Sequence, residues 1–244
     1  MVRCKGSVAA ILGCTCASGA GVVDLPASHD ATLYFSSTGA LANGAGEGLF
    51  IGRNSQGNTR RTLMSFDIAS VVPAGSTITG ATLTLHVASA NEPVTNVTLH
   101  RLLESWTEGA GVPTNEGQGM PAQTGDATWL HRSFPDLMWT TPGGQFAGVP
   151  AASTAVGVVG QYTWSDPGMI TDLQSWLDNP GGNFGWLLRG DESQVSTAKR
   201  LHSRTSPGLD LRPQLRVTYI PTPSAAAVGL AAGAFAAYRR RRPS

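Results

Sequence analysis

Hydrophobic and polar residues alternate with a period of two along much of the chain. The alternation is clearest over residues 62–68, 81–87, 97–99 and 215–219. Successive side chains of a β-strand point to opposite faces, so this period predicts strands with one buried face. Shorter apolar stretches at 32–35, 49–52, 160–164 and 184–188 are separated by Gly, Pro, Asn and Ser, which predicts further strands joined by turns.

One segment has a helical period instead. Residues 169–177 place Ile170, Leu173, Trp176 and Leu177 on one face, and the pattern ends at Pro180. Many short strands and a single helix predict an all-β fold, a jelly-roll-like antiparallel β-sandwich with one short helix. The stretch 109–155 is rich in Gly, Pro and Thr and predicts an elaborated loop region on the same domain.

Charge is unevenly distributed along the 244 residues. Six of the 17 basic residues lie in the two terminal segments, so the body carries 11 bases against all 16 acids. Phosphate contacts supply most non-specific nucleic-acid affinity, and a mildly acidic body provides them poorly. We therefore expect no nucleic-acid partner.

The first 21 residues have the composition of a secretory signal peptide. Basic residues Arg3 and Lys5 precede a short apolar core and a tail of small residues. All three cysteines lie in this segment, so a mature body without it has no disulfide or thiolate site. A lipoprotein signal with lipid on Cys14 is the alternative interpretation.

Residues 221–244 form a separate terminal segment. A Pro-Thr-Pro tripeptide is followed by an apolar stretch at 225–238 and by four arginines at 239–242. As a helix the apolar stretch would be about 21 Å long, shorter than the roughly 30 Å hydrocarbon core of a bilayer. A short membrane anchor is one interpretation. The order of parts also resembles the PEP-CTERM sorting signals of Gram-negative bacteria. That resemblance implies an exosortase-type partner, transient membrane contact through the tail, and secretion or display at the cell surface.

The body, residues 22–220, resembles the DNRLRE domain, also grouped as carbohydrate-binding module family 96. The most specific matching stretches are 61–67 (Arg-Thr-Leu-Met-Ser-Phe-Asp) and 73–83, which begins Pro-Ala-Gly. Further matches follow in order at 30–33, 49–52, 106–108, 127–129, 142–146, 170–176, 183–188 and 213–219. The resemblance implies a secreted polysaccharide-binding protein, with alginate and related acidic glycans as the ligand class.

Arginine and aromatic residues are the candidates for binding such a glycan. Arginine matches a uronate carboxylate with its planar fork, and aromatic faces stack on sugar rings. The candidate binding residues are Arg53, Arg60, Arg61, Trp139, Lys199 and Arg200. Trp139 is the candidate for an exposed stacking platform. Each basic cluster has an alternative interpretation as a solvated strand edge, and Arg61 as half of a structural pair with Asp67.

The sequence gives fewer indications of metal binding or catalysis. A structural Ca²⁺ is possible, with Asp24, Asp30 and Glu108 as ligands by residue type alone, and no other cofactor is expected. No nucleophile elbow, phosphate-binding loop or dinucleotide fingerprint occurs, so we expect no enzyme. Two hypotheses remain: a non-catalytic module for acidic polysaccharide, and a structural protein of the cell surface or exopolysaccharide matrix without a discrete sugar site.

Overall fold

The computed structural model describes residues 19–90 and 93–222. Most of the predicted signal segment, including its three cysteines, and the sorting tail from residue 223 onward lie outside the described residues. The predictions made for those two segments therefore stay predictions.

The described residues contain fifteen strands and one α-helix. The strands are β1 Gly21–Pro26, β2 His29–Tyr34, β3 Leu41–Ala42, β4 Gly48–Arg53, β5 Thr59–Ser65, β6 Thr77–Ala90, β7 Thr95–Arg101, β8 Met120–Pro121, β9 His131–Ser133, β10 Leu137–Met138, β11 Ala152–Val156, β12 Gly160–Trp164, β13 Trp186–Arg189, β14 Lys199–His202 and β15 Gln214–Ile220. The helix α1 is Pro167–Asp178, and 3₁₀ turns occur at Glu116–Gln118, Pro180–Gly182 and Leu209–Leu211.

Eleven of these strands form one antiparallel sheet that curls into two facing halves. The first half has the order β1-β15-β6-β14-β4, with β12 also pairing β6, and the second contains β2, β5, β13, β7 and β11. The halves meet where Gly52 and Arg53 of β4 pair with Arg60 and Thr59 of β5. The predicted all-β, jelly-roll-like antiparallel sandwich with one short helix is confirmed.

The main core lies between the two halves. Leu85 of β6 and Leu99 of β7 are both at most 1 % exposed, in one cluster with fully buried Trp164 and Trp186. Trp176 adds the buried face of α1 to this cluster. No helix in the described part of the chain has the length and apolar character needed to cross a membrane.

A second apolar cluster covers the outer face of the β2–β5–β13 half. Residues that point away from the main core form its floor, and they are Ala31, Leu33, Leu63 and Leu187. The excursion between β7 and β11 lies over them and contributes Leu102, Ala127, Trp129 and Trp139. The segment predicted as an elaborated loop region thus buries the second face of this half-sheet.

Candidate functional site

One groove combines a predicted basic residue, Arg60, with a set of neutral polar side chains. It lies where β2 ends, between the β4–β5 turn and the 3₁₀ turn Glu116–Gln118, and has a volume of about 430 Å³. Five carboxamide side chains line it: Asn54, Gln56, Asn58, Asn115 and Gln118. We call it the amide groove. Planar amides that both donate and accept hydrogen bonds are well suited to sugar hydroxyls.

Arg60 is the charged residue among those that line the amide groove. Its guanidinium carbon lies 5.6 Å from the ring centroid of Tyr34, and it donates to the carbonyl oxygens of Asn58 (3.2 Å) and Gly117 (2.6 Å). Its remaining N–H groups have no partner, and no carboxylate pairs with it, within the described residues. Burial lowers the pKa of Arg60, yet arginine stays charged at neutral pH. Arg60 therefore presents an uncompensated positive charge to the groove.

Arg53 holds the turn that carries three of the amides. Its Nε donates to Gly57 O at 2.9 Å and its Nη1 to Glu192 O at 3.4 Å. Gly57 has a φ of +83°, a conformation that glycine adopts readily, and an added Cβ would lie 2.9 Å from Arg53 Nη2. Arg53 thus shapes the groove wall.

Arg200 fixes the opposite wall. Its Nη2 lies 2.7 Å from Glu116 Oε2, and Glu116 Oε1 accepts the Gly48 N–H at 3.1 Å. Arg200 and Arg60 therefore contact consecutive residues of one 3₁₀ turn. The fold brings together members of the two basic clusters that are separate in the sequence.

The prediction that Trp139 is an exposed stacking platform is wrong. Trp139 is 4 % exposed and donates its indole N–H to Thr128 O at 3.0 Å, inside the second apolar cluster. The exposed aromatic at the amide groove is Phe35, which is 49 % exposed and packs edge-on against Trp129 at 5.4 Å between centroids.

Two other predicted binding residues are engaged within the protein, Lys199 by burial and Arg61 by an ion pair. Lys199 is 1 % exposed and its Nζ donates to Pro93 O at 3.2 Å, so it cannot reach a glycan. Arg61 forms a two-bond ion pair with Glu192, not with Asp67, and lies 4.8 Å from the Trp129 ring centroid. Burial alone would raise the pKa of Glu192, but the hydrogen bonds and charges of Arg61 and Arg189 hold it below its usual value.

The predicted metal ligands do not converge. Asp24 is exposed on β1 and pairs with Arg216 at 2.7 Å. Asp30 and Glu108 are neighbours, since the Asp30 N–H donates to Glu108 Oε1 at 2.7 Å, but Arg204 pairs with that Glu108 carboxylate. No group of three or more His, Cys, Asp or Glu side chains suited to a metal ion occurs among residues 19–90 and 93–222. The calcium hypothesis stays a prediction.

The amides and Phe35 were missed by sequence reasoning. The residues Asn54-Ser55-Gln56-Gly57-Asn58 are typical of a turn. Residues of this kind are ordinarily assigned the role of connecting two strands, and not a role in binding. The length of this turn between two strands could have indicated a binding role, because the side chains of a turn project from the end of a sandwich. The contribution of residues 115–118 depends on a contact distant in sequence.

Neither protein-family models nor curated proteins match this chain. The resemblance to the DNRLRE domain and to PEP-CTERM sorting signals therefore stays a prediction.

Proposed function

We propose that this protein is a secreted, surface-sorted, non-catalytic carbohydrate-binding module that holds acidic polysaccharide such as alginate in the amide groove. In this proposal it is displayed on a Gram-negative-type bacterium, where an exosortase-type enzyme processes the tail. Arg60 contacts a uronate carboxylate, and the surrounding amides contact ring hydroxyls.

The observation that carries the proposal is the environment of Arg60. A guanidinium without a carboxylate partner, at a groove lined otherwise by neutral groups, favours an anionic ligand over a neutral one. Phe35 adds an exposed aromatic face for a sugar ring at the same groove.

The test replaces Arg60 and measures affinity for alginate and polygalacturonate. In Arg60→Gln the charge and the fork are lost, so we expect binding at least about tenfold weaker, since charge-assisted hydrogen bonds are worth roughly 1.5–3 kcal/mol. Arg60→Lys keeps the charge but not the fork, and we expect an intermediate affinity. We expect wild-type binding to weaken at high salt, because salt screens the attraction between arginine and uronate.

Arg216→Gln is the matched control. It also removes one positive charge, but from an exposed pair with Asp24 on β15, and uronate binding should be unchanged. Because Arg60 is largely buried, Phe35→Ala provides a second variant at an exposed position, also expected to weaken binding. Unaltered affinity in both Arg60→Gln and Phe35→Ala would exclude the amide groove as the site. Absence of wild-type retention on any glycan would favour the structural surface protein instead.

A further inference from the structure

A second groove lies at the opposite end of β2. It has a volume of about 640 Å³, and the residues used below are His29, Ser105, Trp106, Thr107, Glu108 and Phe184. We call it the tryptophan groove. His29 begins β2 and Tyr34 ends it, so the two grooves are separated by about 17 Å of strand, at roughly 3.3 Å per residue.

Trp106 is the only one of the six tryptophans that is not buried. The other five are at most 8 % exposed, and all six belong to the described residues. The indole N–H of Trp106 donates to Phe184 O at 2.9 Å, which fixes the ring. The exposed His29 ring stands at 81° to it, with 6.4 Å between centroids. A fixed, partly exposed indole beside a second ring is a preformed surface for the apolar face of a pyranose.

The charges at this groove differ from those at the amide groove. No lysine or arginine lines it within the described chain, and its carboxylate, Glu108, is paired with Arg204 through two contacts. The side chain of Glu108 is only 9 % exposed, and its Oε1 also accepts the Asp30 N–H. The negative charge is therefore neutralised inside the protein. Hydroxyl groups, including those of Ser105 and Thr107, make up much of the remaining polar lining.

We propose that the tryptophan groove is a second glycan site, which binds neutral pyranosides. The sugar stacks on Trp106, and its hydroxyls exchange hydrogen bonds with the serine and threonine side chains of the walls. This site is independent of the uronate site proposed above, because the two grooves share no lining residue.

Intrinsic fluorescence provides a selective readout, since Trp106 is the tryptophan that reaches solvent. The purified protein is titrated with cellohexaose, mannohexaose and xylohexaose, and acrylamide quenching is measured with and without each sugar. We expect at least one neutral oligosaccharide to protect the fluorescence from quenching. Trp106→Phe should remove that signal, and calorimetry should show about tenfold weaker binding of the same sugar.

The variants separate a binding role from a folding role. His29→Ala changes an exposed residue and should weaken neutral-sugar binding several-fold without changing the melting temperature. Leu209→Ala, at an exposed position, should leave neutral-sugar binding unchanged. Arg60→Gln should also leave neutral-sugar binding unchanged while it weakens uronate binding. The proposal is overturned if no neutral sugar binds, if oligouronates alone protect Trp106, or if Trp106→Phe and His29→Ala both bind like the wild type.

Discussion

At the scale of single residues, Asp30 is the most unusual titratable group. It is 1 % exposed, its Oδ2 accepts the Arg204 N–H at 2.7 Å, and its Oδ1 is buried without a hydrogen-bond partner. The pKa of Asp30 is raised from 3.8 to about 7; burial is the main cause, the charge of Glu108 adds to it, and the backbone hydrogen bond and charge of Arg204 oppose it. The ionised carboxylate therefore destabilises the fold at neutral pH.

The stability of the fold should depend on pH through Asp30. Between pH 4 and 7 the folded state retains a proton that the unfolded state releases, so this contribution to the free energy of unfolding falls as pH rises. The full difference is about 4 kcal/mol at most. Asn at position 30 has no proton to lose and keeps an oxygen for the Arg204 N–H. We expect Asp30→Asn to be more stable than the wild type at pH 8, with a much smaller gain at pH 5.

Urea unfolding at the two pH values tests this expectation. Asp136→Asn, at an exposed position, is the control and should follow the wild-type pH dependence. An Asp30→Asn protein that loses stability equally at both pH values would show that the carboxylate is stabilising, contrary to the argument.

At the scale of elements, the excursion between β7 and β11 packs on the sheet beneath it and contributes to the stability of the fold. Trp139 and its neighbour Met138 test this directly, because the first is 4 % exposed and the second 57 %. We expect Trp139→Ala to lower the free energy of unfolding by about 3–5 kcal/mol, and Met138→Ala by no more than about 0.5 kcal/mol. Chemical denaturation of both variants gives the comparison; similar small losses would mean that the excursion is not packed on the sheet.

The same excursion shows what sequence periodicity could predict. Strands with one buried face and the helix were found, because alternation and helical period survive in β5, β6, β15 and α1. Trp139 was misjudged because a loop composition indicates solvent, whereas its neighbours are apolar residues of β2, β5 and β13 that face away from the main core. Leu63 and Leu187 each lie in sequence between residues that face the main core, so their own side chains face the opposite side of the sheet. Apolar residues at these two positions could have indicated a second buried face.

The site was predictable only in part. The arginine clusters pointed to Arg60, but charge alone could not separate it from Lys199 and Arg61, which the fold buries or pairs. Arg61 is paired through residue 192, 131 positions away in sequence. Partners at such separations are fixed by topology rather than by local pattern.

At the scale of the whole molecule, the sandwich ends before the predicted sorting tail. β15 ends at Ile220, and Thr222 makes one further hydrogen bond, from its hydroxyl to Gly75 O at 2.9 Å. Deleting residues 221–244 should therefore leave the melting temperature and uronate binding nearly unchanged. In cells we expect the truncated protein to be lost from the surface, because the predicted exosortase signal is removed.

Cell fractionation of the full chain and the truncated chain measures that expectation. Replacing the four arginines at 239–242 by glutamine alters the same segment without shortening it, and should also reduce surface retention. Surface retention equal to the full chain in both variants would rule out a sorting role for the tail.

The position of β15 has a mechanical consequence. This last strand lies between β1 and β6 and pairs with both. Its residues Gln214 to Ile220 pair with β6, and its residues Gln214 to Tyr219 pair with β1. Inter-strand hydrogen bonds run perpendicular to the strands, so a pull on the C-terminal end of β15 that is directed along the strand loads both ladders in shear. The bonds then resist together rather than opening one after another. A protein tethered through its tail and pulled by a bound polymer would carry that load on the strand best placed to withstand it.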